Sequence, residues 1–220
     1  MKISLSRTGK LPCPSWSLPA WFTCPGAKGD DGDPVEACSK CYALQGRYLF
    51  SNVREARERT RKEWQKSGWS EAMIDVLKDE PLFRWFDSGD VYSKRLAQKM
   101  LIICTMTPNT RHWIPTRSWK SAEILPYLEA LAVLPNVVVR YSEDKIDSGL
   151  WTVPPEHRSV IVTKPDEYEP GHGRVLCTAY RRQGKCGPCR ACWSKKVHTV
   201  MYPLHGANGG AVASAMGRSK

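Results

Sequence analysis

The stretch LFRWFDSGDVYSKRLAQKMLIICTMTPNTRHWIPTRS, residues 82–118, decides the fold. Its front, LFRWFDSGD (82–90), reads as a buried strand ending in a polar turn. The next run, VYSKRLAQKMLIICTMTP (91–108), reads as a helix that Pro108 stops. RHWIPTRS (111–118) then reads as a second strand. Strand, helix and strand in succession form the crossover unit of a parallel sheet.

The alternation continues on both sides. NVREARERTRKEWQK (52–66) is rich in helix formers and dense in charge, and a further helix covers about 70–78. KSAEILPYLEALAVLP (120–135) reads as helix, and NVVVRYSED (136–144), RSVIVTKP (158–165) and GRVLCTAY (173–180) read as strands. The fold class is therefore α/β with a parallel sheet, either open or closed into a compact TIM-like (β/α) barrel, complete or incomplete. Residues 1–30, rich in Pro, Ser and Gly, form an irregular lead-in. A single catalytic domain spans 1–205, with a cysteine metal-binding segment at 177–198, and 206–220 is a flexible tail.

Composition narrows the partners. The net charge of +11 points to a polyanion, of which nucleic acid is the commonest. The start MKISLSRTGKLPCPSW has no apolar signal core and no run is long enough to span a membrane, which places the protein in the cytoplasm. Nine cysteines in a reducing compartment are metal ligands and core thiols rather than disulfides. Oligomeric state is not legible.

Two cysteine sets carry the metal signal. Cys177, Cys186, Cys189 and Cys192 include the run CGPCRACW, whose two-residue gaps let neighbouring thiolates close on one metal ion. Zinc and an iron–sulfur cluster both take four thiolates, and spacing separates them poorly. His198 is a spare ligand, and Cys177 also fits a buried core thiol. Cys24, Cys38 and Cys41 are a second candidate set. Three thiolates with an open position suit a cluster that binds a substrate. The usual CxxxCxxC of radical S-adenosylmethionine enzymes is absent, since thirteen residues separate Cys24 from Cys38. Cys13 is a candidate fourth ligand, and Cys104 sits in an apolar helix as a core residue.

In parallel α/β folds, function collects at the C-terminal ends of the strands. Those ends here carry Asp87, Ser88 and Asp90, then Thr116, Arg117 and Ser118, then Ser142, Glu143 and Asp144, then Lys164. Asp87 and Asp90 flank Ser88 and Gly89, and glycine lets backbone approach a flat ligand. Asp87 is placed to hydrogen-bond a nucleobase edge or to attack a sugar carbon, and Asp90 equally well caps the next helix. Asp144 and Asp147 form a second carboxylate pair across the mouth. Arg117, Arg140 and Lys164 are candidate phosphate contacts, and Trp85, Tyr92, Trp113 and Tyr141 are candidate stacking residues.

At Asp87-Ser88-Gly89 the chain resembles the tRNA-guanine transglycosylase superfamily, whose barrels place a DSG aspartate in the base pocket and carry a late cysteine-rich zinc site. The short, basic, cysteine-rich form, with SLPAWFTCPGA and CSKCYALQGRY in its lead-in, looks like the phage-encoded DpdA-type enzymes. Two departures stand out. The usual DSGGFQ is here DSGDVYS, and the usual CxCxxC with a distant histidine is here Cys177 plus CxxCxxC. The resemblance implies a phage DNA-modifying transferase in the host cytoplasm. It would exchange guanine in DNA for a free 7-deazaguanine base through an aspartyl glycosyl-enzyme intermediate, protecting the DNA from restriction. Asp87 carries over by position into the base pocket, where Ser88, Gly89, Arg117, Lys164 and Tyr141 would join it, and zinc would sit on the late cysteines. The nucleophile does not carry over, and placement alone offers Asp90, Asp144 or Asp147. Two alternatives stand beside it: an iron–sulfur enzyme of radical type on the front cysteines, and a non-catalytic zinc protein that binds nucleic acid.

Overall fold

The computed structural model describes residues 1–148, 157–167, 171 and 173–204. The tail expected at 206–220 lies outside them. Seven strands form one sheet: β1 (Ser15–Trp16), β2 (Leu82–Trp85), β3 (Arg111–Thr116), β4 (Val137–Ile146), β5 (Arg158–Val162), β6 (Arg174–Leu176) and β7 (Thr199–Pro203). Their order is β1-β2-β3-β4-β5-β7-β6, and every pairing is parallel. From β1 to β5 the strands lie side by side in sequence order. The sheet has two edges, β1 and β6, which no pairing joins among the described residues.

Five helices accompany the sheet: α1 (Glu36–Ser39), α2 (Ser51–Glu63), α3 (Trp69–Leu77), α4 (Lys94–Met106) and α5 (Leu125–Val133). Strand side chains alternate between faces. Trp16, Phe83, Trp85, Ile114, Val137, Val139 and Tyr141 face the helices and pack on Met73, Leu77, Leu96, Met100, Ile103, Leu128 and Leu131. Helix α4 shows why: its buried Leu96, Ala97, Met100, Ile103 and Cys104 form one stripe, and the Ser93 side chain accepts from the Leu96 N–H to cap it.

The other face of the sheet is covered by residues 11–13 of the lead-in and by the late cysteine segment. Cys13, Trp113 and Trp193 form a small cluster there, with Leu11, Leu82, Cys192 and Tyr202 against it. The Trp113 and Trp193 rings meet edge to face at 5.0 Å. Arg140, expected as a phosphate contact, is fully buried in β4 and anchors this cover. It donates to the carbonyls of Ala191 (2.8 Å), Cys192 (3.1 Å), Ser194 (3.0 Å) and Val197 (3.0 Å). The Cys186 N–H donates to the Lys10 carbonyl (3.0 Å), tying the late segment to the lead-in. Among the described residues no helix is long and apolar enough to cross a membrane.

Candidate functional site

Four connections meet at the C-terminal ends of β1 to β4. The turn after β2 is built around Gly89, whose φ is +72°. A Cβ there would lie 2.6 Å from Leu18 Cβ and from Thr23 Oγ1, so only glycine lets the loop after β1 close down on this turn. Gly26 has the same role against β3, where a Cβ would lie 2.0 Å from the Arg117 carbonyl oxygen. These two contacts press the cysteine-bearing loop onto the ends of β2 and β3.

Asp87 is buried and crowded by partners. The Tyr48 hydroxyl donates to its Oδ2 (2.8 Å), and Arg57 and Arg84 each form an ion pair with it at 3.4 Å. Its own N–H donates to Ser17 Oγ (3.0 Å), and its carbonyl accepts from the Tyr42 hydroxyl (2.6 Å). Burial pushes the Tyr42 and Tyr48 hydroxyls above the usual tyrosine range, so both act as donors. Ser88 Oγ donates to the Leu18 carbonyl (2.8 Å) and accepts from Arg57 Nε (2.9 Å).

Asp90 points the other way, into the seam between loops. Its Oδ1 accepts from the Val91 N–H and its Oδ2 from the Arg117 N–H, both at 2.7 Å. Burial pushes its carboxyl up to about 6, although these N–H donors favour the charged form. Arg117 spans the mouth. Its Nη1 donates to Cys38 Sγ (3.1 Å), its Nη2 to the Glu143 carbonyl (2.6 Å), and its Nε pairs with Asp144 at 3.2 Å. Lys120 forms a second ion pair with Asp144.

The three front thiols share this neighbourhood. Cys24 follows the turn at Trp21, Cys38 sits in α1, and Cys41 lies just beyond it. Burial raises all three thiols above their usual range, and the charges of Cys38 and Cys41 raise Cys24 further. Donors oppose this at all three: the Trp21 backbone at Cys24, Arg117 at Cys38, and the backbone N–H groups of Ala43 and Leu44 with Arg117 at Cys41. Such donors favour a thiolate, the form that binds metal.

The late cysteines gather on the helix-free face. Cys186 lies within electrostatic reach of Cys177 and Cys189, Cys177 of Cys189, Cys192 of Cys177, and Cys13 of Cys186. Cys192 Sγ is 3.2 Å from the Tyr202 hydroxyl. Burial pushes the Cys192 thiol up to about 11 and the Cys13 thiol up to about 12. In neither set are three His, Cys, Asp or Glu side chains arranged to hold a metal ion as they stand, among the described residues. Both sets offer the right donor chemistry in one place, and a metal would require the thiols to turn inward.

The remaining expected residues lie further out. Tyr141 and Trp85 are buried in the helix-side core, away from any stacking surface. Asp147 is exposed and bonded to the Thr163 N–H (2.8 Å), and Lys164 is exposed and paired with Glu167 at 2.9 Å. Sequence reading missed Tyr42, Tyr48, Arg57 and Arg84, the residues that hold Asp87. Arg84 had a signal, a charged residue inside the otherwise apolar LFRWF. The others had none, because long loops and a separate helix bring them in.

Fold and site together define an α/β protein with a parallel sheet, whose strand ends gather charged side chains and buried thiols. The chain belongs to the family described as Gene product 88, whose model matches residues 2–195. No curated protein and no solved structure matches it.

Proposed function

We propose that this protein is an iron–sulfur enzyme of radical type, with the cluster on Cys24, Cys38 and Cys41. One observation carries the reading: three thiols from the loop after the first strand lie within electrostatic reach of one another beside the strand ends, with Arg117 donating to Cys38 Sγ. Three protein ligands leave a cluster iron with an open position, and the bound cluster would supply an electron to a ligand there. The chain's own residues supply the rest. Arg117 offsets the charge of the thiolates, and Gly26 and Gly89 let the loop seat closely. Asp87, Tyr48 and Ser88 offer a polar wall for a substrate. The late cysteines, Cys177, Cys186, Cys189 and Cys192, hold a second metal in this reading, zinc or a further cluster. Anaerobic reconstitution with iron and sulfide tests it. The front-cysteine serine variant should lose a visible absorption band that the late-cysteine variant keeps in part; equal bands in the two would refute it.

Exchange of guanine in DNA for a 7-deazaguanine is the second reading, with zinc on the late cysteines. The Asp87 constellation favours it: a strand-end aspartate beside Ser88 and Gly89, hydrogen-bonded to Tyr48. It ranks second because the candidate nucleophiles are engaged. Asp90 is held by two backbone N–H groups, Asp144 by Arg117 and Lys120, and Asp147 by Thr163. Mass spectrometry of digested DNA, after incubation with the free base, tests it. Asp87→Asn should abolish incorporation, and full exchange by that variant would remove the reading.

A further inference from the structure

Arg84 projects from β2 onto the helix-free face, where its guanidinium lies 4.4 Å from the centroid of the Trp113 ring. Its Nη groups reach toward the mouth: Nη1 is 3.4 Å from Asp87 Oδ1, and Nη2 is 3.4 Å from the Tyr42 hydroxyl oxygen. Both contacts are longer than a well-formed hydrogen bond. Its Nε–H is buried with no acceptor among the described residues. A buried donor left unmade is costly and marks a place where an acceptor is expected.

The charges point the same way. Asp87 is shared between Arg57 and Arg84, so one carboxylate faces two guanidiniums. Arg140 is fully buried and bonded only to carbonyls, with no carboxylate at ion-pair distance among the described residues. Three largely buried guanidiniums, Arg57, Arg84 and Arg140, thus have one carboxylate, Asp87, at ion-pair distance among the described residues, which leaves two positive charges over. Protonated thiols supply no charge. Four thiolates on a divalent metal carry a net double negative charge, which offsets the two positive charges left over. Metal-bound sulfurs also accept N–H bonds from outer partners, which tune affinity.

We propose that Arg84 is a positioning residue shared by the two cysteine sets. Its free Nε–H serves the metal-bound sulfurs of Cys177, Cys186, Cys189 and Cys192 while its Nη groups hold Asp87 and Tyr42 at the mouth. The inference rests on the late cysteines being a metal site, and it is independent of what the front cysteines bind.

The test uses the full chain with Cys24, Cys38 and Cys41 changed to serine, so that only the late set reports. Cobalt(II) is titrated against a competing chelator, and thiolate-to-cobalt absorption is read. Arg84→Met should weaken cobalt binding by about 10–100-fold, the range for loss of an outer-shell partner. Arg84→Lys, which keeps the charge, should recover part of that loss. The Arg84→Met variant must show the parent's circular dichroism, and Arg84→Lys keeps the test open if it does not. Unchanged affinity in Arg84→Met overturns the role of Arg84. Absence of thiolate absorption in the parent overturns the late metal site itself, and the proposal with it.

Discussion

Replacing Arg140 with methionine tests what holds the late cysteine segment in place. The guanidinium makes four hydrogen bonds to backbone carbonyls between Ala191 and Val197, at 2.8–3.1 Å. Hydrogen bonds to a charged group are each worth about 1.5–3 kcal/mol net. They do not simply add, because removing the arginine also removes the cost of burying its charge. Burial lowers the Arg140 pKa, against Tyr202 and Cys192, which raise it. Four part-buried carbonyls left without a donor cost about 1–3 kcal/mol each, and removal of the buried charge offsets part of this, for a sum of about 3–5 kcal/mol. At about 2–4 °C per kcal/mol for a chain of this size, the melting temperature should fall by about 6–20 °C. Circular dichroism melts with a chelator present isolate this anchor from any metal. Because the contacts pin one segment, limited proteolysis should also cut faster at Arg190, Lys195 and Lys196. Arg140→Lys should fall between the two proteins. An Arg140→Met melt within about 2 °C of the parent, with an unchanged cleavage pattern, would refute the anchoring argument.

Gly89→Ala should destabilise the chain by about 2–5 kcal/mol, combining about 1–2 for a left-handed residue with about 1–3 for overpacking. Urea unfolding measures it, and a loss under about 1 kcal/mol would mean the loop after β1 does not press on this turn. His112 is fully buried, its Nε2 is 2.9 Å from Thr107 Oγ1, and burial pushes its pKa down to about 4. Below about 6.5 the unfolded chain takes a proton that the folded chain refuses until about 4, so His112 costs stability as pH falls through this window. The stability advantage of the parent over His112→Asn should shrink by about 3 kcal/mol between pH 6.5 and pH 4. Taking the difference cancels Asp90, whose raised carboxyl acts in the opposite direction. A difference that stays constant with pH would place the histidine in contact with water.

Much of the parallel sheet was legible because its elements carry their own periodicity. Phe83 and Trp85 alternate with Leu82 and Arg84 in β2, and α4 has both a serine cap and an apolar stripe. Where tertiary contacts decide, legibility fails. β1 is two residues long, inside a Pro- and Ser-rich stretch, and exists because Ser15 and Trp16 pair with Arg84 and Trp85. β7 was not expected at all, although Thr199–Pro203 pairs with both β5 and β6. The strand expected over 173–180 stops at Leu176, and Thr178–Arg182 turns as a 3-10 helix. The helix expected over 120–135 starts only at Leu125, because Pro126 fits the first turn. Sheet closure is a pairing between distant strands, so no local pattern distinguishes an open sheet from a barrel. The site follows the same division. Cysteine spacing marks both sets, and strand ends mark Asp87, Asp90, Arg117 and Asp144. Sequence spacing alone does not show that Arg117 reaches Cys38, or that Arg57, Arg84 and Tyr48 converge on Asp87.

Metal content with an absorption spectrum, on protein purified without oxygen, tests the central claim most directly. The comparison is among the parent, the serine variant of Cys24, Cys38 and Cys41, and the serine variant of Cys177, Cys186, Cys189 and Cys192. The account expects iron with sulfide and a broad visible band in the parent, and a decrease in both in the front-cysteine variant. The late-cysteine variant should keep iron at the front set. Zinc alone with no visible band, or iron that persists undiminished when the front cysteines are gone, would contradict it.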